Sequence, residues 1–194
     1  MKEKKLTQRQ LQSIKTRNNI YHTAISLMKK KGFHNISVSE ICQEAGVSVG
    51  AFYHYFPSKH SILDEVFKLA DDYFLSEVSR TVQGNSTAEK IIHYFSLYAQ
   101  YNVDRGLDFV KQLYNVQNNL FITPGRPMQQ VLKEIVIEGQ SKKELTLGMS
   151  PDEIVNYLFM AVRSVVYHWC LMEGSHCLVK AVEQYVTRLI TSVQ

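Results

Sequence analysis

Residues 47–59, VSVGAFYHYFPSK, concentrate side chains that could contact a polyanion. Phe52 and Phe56 lie four residues apart and would share one face of a helix, the face turned inward. The opposite side would carry small or polar-tipped residues, namely Ser48, Val49, Gly50, Ala51, Tyr53 and His54. Polar tips reach phosphates and base edges, and small residues let a helix backbone approach bases in a groove about 12 Å wide. With Tyr55 and Lys59, the latter as a phosphate contact, the segment predicts a helix that binds nucleic acid.

A helical hairpin that only packs would explain Phe52 and Phe56 equally well. It would not explain the outward polar tips of Tyr53, His54 and Lys59 beside a patch of small residues. The charge distribution favours the binding role, because residues 1–60 contain ten Lys and Arg against three Asp and Glu. Residues 61–194 contain twelve against fifteen. A basic module joined to an acidic one is typical of a protein that meets a polyanion with one part only.

Two short helices joined by AGVS would position these residues. Ser37 and Glu40 have the spacing of a capping box, so a helix is predicted to begin there and to end near Gly46. Ser48 can cap the next helix, which Pro57 ends. Val47 would pack with the apolar side chains of Phe33, Ile36 and Ile41. The pattern is that of a helix-turn-helix.

The rest of the chain also favours helices, because apolar residues recur at three and four and no alternation of period two is found. In the first helix this places Leu11 and Ile14 on one side with Ile20, Ala24, Leu27 and Met28. We predict an all-α fold with a DNA-binding domain of three helices over residues 1–58 and a second domain over residues 59–194. The nine predicted helices span about 7–31, 37–46, 48–56, 58–80, 86–103, 107–118, 128–145, 151–172 and 177–193.

Several classes of protein are disfavoured. No nucleophile–base pair or metal cluster has the spacing that catalysis needs, so we predict no enzyme, no catalytic residue and no cofactor. His168, Cys170, His176 and Cys177 fit no standard zinc spacing, and no metal site is predicted. Three cysteines and a charged N-terminus without an apolar stretch favour the reducing cytoplasm. No apolar run approaches a membrane span, so no membrane partner is expected.

The stretch VSEICQEAGVSVGAFYHYFPSKHSIL closely resembles the signature of the tetracycline-repressor (TetR) family of bacterial transcriptional regulators. That signature joins an I-A-x-x-A-G-V-S core, a G-x-x-Y-x-Y/H-F recognition helix and a following S/N-K. The resemblance covers roughly residues 10–65, and the nine-helix layout agrees with the family over the whole chain. It implies a homodimer whose recognition helices enter successive major grooves of a near-palindromic operator in double-stranded DNA.

Carried over by position, the resemblance assigns phosphate contacts to Ser37, Tyr53, Tyr55 and Lys59. It assigns contacts with bases or their sugars to Val49, Gly50, Ala51 and His54. The family often has a polar or basic residue at position 49 and Thr at position 51, whereas Val49 and Ala51 are apolar here. We therefore expect base readout to use thymine methyl groups and, from the first helix, Lys15 and Arg17.

The second domain is rich in aromatic residues, with fifteen of the chain's twenty-one. Rings at helical spacing are most often core residues, but the resemblance implies a domain that senses an unidentified small-molecule effector. The predicted ligand-binding residues are Tyr94, Tyr98, Phe109, Tyr114, Phe159, Arg163 and Tyr167. Arg163 is the only charge between Glu153 and Glu173. It would pair with an acidic ligand or an internal carboxylate, or else reach solvent or the dimer seam.

The last two helices are apolar enough to require a partner, so we predict a four-helix dimer interface over residues 151–193. Small residues on the eighth helix would allow close approach, and apolar residues of the eighth and ninth would flank them. The predicted interface residues are Ile154, Leu158, Ala161, Ser164, Val165, His168, Val182, Tyr185, Val186 and Leu189.

We thus expect a transcriptional regulator that acts as a repressor and leaves its operator when the effector binds. The alternative is a helical ligand carrier of the same fold that does not bind an operator.

Overall fold

A computed structural model describes residues 7–114, 121, 123 and 125–194 of the chain. Within these residues it contains nine helices and no strand, which confirms the predicted all-α fold. The fourth helix, α4, begins as Ser61–Tyr73, continues through a π-helical segment, Phe74–Val78, and ends with a last turn, Ser79–Thr81. The others are α1 Gln8–Lys31, α2 Val38–Ala45, α3 Val49–Tyr55, α5 Thr87–Arg105, α6 Leu107–Leu113, α7 Pro127–Ser141, α8 Pro151–Leu171 and α9 Leu178–Ile190.

Short polar residues begin the helices that the sequence predicts. The Ser37 side chain accepts a hydrogen bond from the Glu40 amide at the start of α2, and Ser48 accepts one from the Ala51 amide at the start of α3. These bonds satisfy amides that have no partner within the first turn. Gly46 ends α2 in the left-handed conformation, with φ of 66°, and sets the turn into α3.

The chain divides into two compact units, one ending at Val66 and the other beginning at Phe67. The sequence placed a boundary between residues 58 and 59, whereas this division falls inside α4. The core of the first unit joins α1, α2 and α3 through Ile20, Met28, Ile41, Phe52 and Phe56, all buried. Leu11 and Ile14, predicted on the same side of α1 as Ile20, are exposed, because the buried face of α1 begins only at Ile20.

The second unit is built on α5, α7, α8 and α9. Helix α9 packs against α5 and α8, and α7 packs against α5, α8 and the π-helical segment of α4. The centre of this unit is aromatic, since the buried rings of Phe74, Tyr94, Phe95, Tyr98 and Phe159 contact one another edge to face.

A buried ion pair fixes α4 to the start of α7. The Arg126 guanidinium donates from Nε and Nη2 to the two carboxylate oxygens of Asp71, each at 3.1 Å. Asp71 also accepts from the Met128 amide, and Arg126 lies over the ring of Phe67. Because both charges are buried, this fork of bonds compensates for the water that each group loses.

Helix α8 is long and apolar enough to cross a membrane by length and composition alone. Half of its most apolar stretch is buried inside the second unit, and Arg163 lies within the helix. A core helix with one buried side has the same properties.

Candidate DNA-binding face and effector site

Helix α3 presents one side to the core and the other to solvent. Phe52 and Phe56 are buried, while Val49 and Tyr53 are 45% and 52% exposed. Gly50 and His54 are also exposed, and Ala51 and Tyr55 are half-buried. The rings therefore divide as the four-residue spacing predicts, with the small and polar-tipped residues gathered on the accessible side.

Gly50 is not required by the packing of the first unit. A Cβ atom built on it would meet only the Ser48 Oγ, at 3.9 Å, which is an ordinary contact. The absence of a side chain at this position leaves free space on the outer side of α3.

Arg17, which was predicted to take part in base readout, pairs with a carboxylate within the first unit. Its Nη1 and Nη2 donate to the two carboxylate oxygens of Glu65, at 2.9 and 2.6 Å. The guanidinium also lies 5.0 Å from the ring centroid of Phe56. The hydrogen bond with Glu65 raises the pKa of Arg17. Lys15, predicted beside it, is exposed.

Lys59 is placed differently from the predicted phosphate contact. Its ammonium donates to the carbonyl oxygens of Phe33 and Ile36, at 2.9 and 2.8 Å, and lies over the Phe33 ring. Burial lowers the pKa of this lysine. Lys59 therefore holds the connection between α1 and α2, and with it the position of α2.

The predicted effector residues lie mostly inside the second unit. Tyr94, Tyr98, Phe109 and Phe159 are buried, and Tyr114 is half-buried. The Tyr94 hydroxyl donates to the Met128 carbonyl oxygen at 2.6 Å, and the hydroxyls of Tyr98 and Tyr114 lie 2.8 Å apart. Burial raises the pKa of the Tyr94 and Tyr114 phenols well above the ordinary value, so both stay neutral. The interior is thus apolar with a few fixed hydroxyl groups.

Arg163 brings a positive charge to this interior. Its Nη1 donates to the Phe121 carbonyl oxygen at 2.5 Å, and its guanidinium lies 5.0 Å from the ring centroids of both Phe121 and Phe159. Its Nε is fully enclosed and has no acceptor among the residues that the structure describes. No carboxylate among the described residues accepts from this atom, and its enclosure keeps water away.

A pocket of about 170 Å³ opens beside Phe121. The ion pair between Lys133 and Asp152, with an N–O distance of 2.8 Å, lies on its wall. The lining residues are Phe121, Thr123, Gly125, Gln129, Gln130, Lys133, Asp152, Val155 and Asn156. Nothing in the sequence pattern marked Phe121 or these polar residues as a group.

Tyr167 was predicted to bind the ligand, but it is half exposed on the outer side of α8. Several predicted interface residues, by contrast, are buried where an interface needs exposed side chains. Because they form the core of the second unit, the following cannot face a partner: Ile154, Leu158, Val165, Val182 and Val186. Ser164, His168 and Tyr185 are exposed, and Ala161 and Leu189 are half-buried.

A row of exposed, mostly apolar side chains, of which only Ser164 was predicted as an interface residue, lies on the outer side of α8. We call it the α8 stripe, and it comprises Tyr157, Met160, Ser164, Tyr167 and Leu171. These positions follow the spacing of three and four that marks one helix face, which was visible in the sequence. Met160 and Leu171 are 65% and 61% exposed.

His168 and His176 have ring centroids 6.1 Å apart. Over the part of the chain that the structure describes, no group of three or more His, Cys, Asp or Glu side chains could hold a metal ion.

Residues 20–66 match the model of the family described as bacterial regulatory proteins, tetR family. The fatty acid metabolism regulator protein of Bacillus subtilis (strain 168) is 28% identical over 185 residues, which cover 89% of this chain and 92% of that protein.

Two solved structures share the fold. FadR, a transcriptional regulator from Bacillus subtilis in complex with stearoyl-CoA, has a TM-score of 0.74 at 22% identity, covering 91% of this chain and 99% of that one. FadR from Thermus thermophilus, a TetR-family repressor in complex with lauroyl-CoA, has a TM-score of 0.70 at 22% identity, covering 90% and 93%. The helix-turn-helix of α2 and α3 thus lies within residues 20–66, which match the tetR family of bacterial regulatory proteins, and the chain shares the fold of the two solved regulators.

Proposed function

We propose that this protein is a cytoplasmic repressor that binds a near-palindromic operator as a homodimer and releases it on binding a long-chain fatty acyl-CoA. The observation that carries the effector class is the acyl-CoA bound in the two FadR structures that share this fold, and the likeness to a fatty acid metabolism regulator over nearly the whole of both chains supports it. The aromatic interior with Arg163 supports it, because a long acyl chain needs an apolar enclosure and its thioester carbonyl needs a donor.

In the proposed complex, α3 lies in the major groove with its exposed side against the bases. Val49 and Ala51 would contact thymine methyl groups, Gly50 would allow the close approach, and His54 would reach a base edge or sugar. Ser37, Tyr53 and Tyr55 would bind phosphates. Arg17 and Lys59, which are bonded within the first unit, have no assigned contact with DNA, and Lys15 is the basic residue of α1 that we assign to it.

The α8 stripe is the proposed centre of the dimer interface. Exposed apolar side chains in a continuous row are typical of a surface that a partner covers. His168 on α8 and Tyr185 and Leu189 on α9 would extend it. A two-fold dimer buries the same stripe on both copies and can hold two α3 helices about 34 Å apart, one turn of DNA.

The effector would bind the non-operator state more tightly than the operator-bound state. A coupling of about 1–3 kcal/mol between the two sites is typical for such regulators. A carrier that binds no DNA remains the second candidate, but it gives no reason for the exposed small and polar residues of α3.

The test is fluorescence anisotropy with DNA from upstream of the protein's own gene. We expect specific binding that weakens steeply with salt, because phosphate contacts release counterions. Lauroyl-CoA and stearoyl-CoA should release the DNA, whereas CoA alone should not. Binding without release by either acyl-CoA would reject the effector class, and the absence of specific binding to any upstream fragment would favour the carrier.

A further inference from the structure

Phe121 separates the open pocket from the buried interior of the second unit. It lines the pocket of about 170 Å³ together with Val155 and Asn156 of α8. It also contacts three residues that do not line this pocket: its ring lies 4.7 Å from that of Tyr114 and 5.4 Å from that of Phe67, and Arg163 lies over it.

Helix α8 runs from the pocket into this interior. Val155 lines the pocket, and Phe159 and Arg163 follow at intervals of four residues, so the three share one side of the helix. Phe159 is fully buried, and its ring contacts those of Phe95 and Tyr98. A molecule that entered from the pocket along α8 would meet Phe121 first and Arg163 behind it.

Arg163 is incompletely satisfied while Phe121 is in place. One of its terminal nitrogens donates to the Phe121 carbonyl, whereas its enclosed Nε has no acceptor among the described residues. A buried donor without an acceptor is costly, and a ligand that supplies one recovers that cost. The site therefore fits a ligand with a hydrogen-bond acceptor attached to an apolar chain.

We propose that Phe121 is a plug that occupies the effector site in the ligand-free protein. The acyl chain of the ligand takes the place of the Phe121 ring, and its carbonyl oxygen accepts a hydrogen bond from the Arg163 Nε, which has no acceptor among the described residues. The polar headgroup stays in the pocket, where Gln129, Gln130 and Asn156 offer amide groups. This inference rests on the proposed function for the identity of the ligand, but not for the presence of the plug.

Displacement of Phe121 also reaches α4. The Phe67 ring contacts the Phe121 ring, and the Arg126 guanidinium lies 4.9 Å from the centroid of the Phe67 ring. When Phe121 leaves, Phe67 loses an aromatic neighbour next to the Arg126–Asp71 pair that fixes α4. The plug thus links occupancy of the site to the helix that continues from the DNA-binding unit.

The plug is tested first with Nile red, an apolar dye that fluoresces when it leaves water. Phe121→Ala should bind the dye at least ten-fold more tightly than the wild type. Tyr101→Ala, which removes another half-buried ring of the same unit, stacked on Tyr73, should not. Phe121→Leu serves if the alanine variant does not fold. Equal dye binding by the wild type and a folded Phe121 variant would overturn the plug, whatever acyl-CoA does.

The second measurement is calorimetric titration with lauroyl-CoA. Because the wild type must first expel its own side chain, Phe121→Ala should bind about ten-fold more tightly. Arg163→Gln should bind at least ten-fold more weakly, and Arg163→Lys should not restore affinity, since lysine lacks the Nε donor. Tighter dye binding with no binding of acyl-CoA to any variant would retain the plug and reject the proposed effector. Weaker lauroyl-CoA binding by a folded Phe121→Ala would overturn the plug.

Discussion

Gly50 offers a direct test of the α3 surface at the scale of one residue. Its Cβ would contact only Ser48 Oγ, so Gly50→Ala should keep or raise the free energy of unfolding, by up to about 1 kcal/mol, because alanine favours a helix. The added methyl group would stand against the bases, and operator affinity should fall on the order of ten-fold, about 1.4 kcal/mol. Urea denaturation and fluorescence anisotropy measure the two effects.

A matched substitution at Gly46 separates the effect on operator affinity from the effect on the free energy of unfolding. Gly46 has a φ of 66°, so Gly46→Ala strains the backbone even though nothing lies within 4 Å of its Cβ. It should lower stability where Gly50→Ala does not. Loss of stability and affinity together in Gly50→Ala would contradict the proposed approach of α3 to DNA.

Arg17 and Lys15 are both basic residues of α1, but we expect Arg17 to stabilise the fold and Lys15 to bind DNA. Removing the Arg17 bonds to Glu65 should lower the free energy of unfolding by about 1–2 kcal/mol in Arg17→Ala. Lys15→Ala should leave thermal unfolding unchanged and weaken operator binding, with a smaller salt dependence. If Lys15→Ala binds DNA as the wild type does at every salt concentration, the proposed contact is wrong.

Helices α5 and α7 are joined at the element scale by Glu138, which accepts from Lys142 at 2.5 Å and from Lys90 at 2.8 Å. Hydrogen bonds from Lys142 and Lys90 hold the pKa of Glu138 at about 2, against an ordinary value of 4.5. Because the folded pKa is the lower one, the stabilisation is complete above the unfolded pKa and is lost as the pH falls towards 2.

The thermal midpoint of Glu138→Gln should therefore lie below that of the wild type near pH 6. The difference should shrink between about pH 4.5 and pH 2 as the wild-type carboxylate takes up a proton. Calorimetry at several pH values measures it. A difference in midpoint that is constant from pH 6 to pH 2 would exclude the ion pairs as its cause.

Local chemistry decided which elements could be predicted. The caps at Ser37 and Ser48 and the inward pair Phe52 and Phe56 depend only on residues within one helix turn. The ion pair of Arg17 could not be predicted, because its partner, Glu65, lies 48 residues away along the chain. Phe121 carried no signal, since its role depends on which helices close around it.

At the scale of the whole molecule, the second unit shows a further limit of prediction from the sequence. Helix α8 is apolar on both sides, so its composition predicted a partner but did not distinguish the residues that face α5 and α9 from those that face solvent. Burial makes that distinction and places Leu158 in the core and Met160 outside. Several residues predicted for the dimer interface are thus core residues of the unit, and the proposed interface uses the exposed side of the same helix.

Assembly is the property that the α8 stripe should control. Met160→Glu places a charge in the middle of the proposed interface, where two-fold symmetry brings it close to its own copy, so the dimer should dissociate. Leu147→Glu is the matched control, because Leu147 is 73% exposed and lies outside α8. Light scattering at micromolar protein should give a monomeric mass for Met160→Glu and a dimeric mass for the wild type and for Leu147→Glu. Operator affinity should fall with the dimer, since one α3 helix reads only a half-site. A Met160→Glu protein that stays dimeric would place the interface elsewhere on the surface.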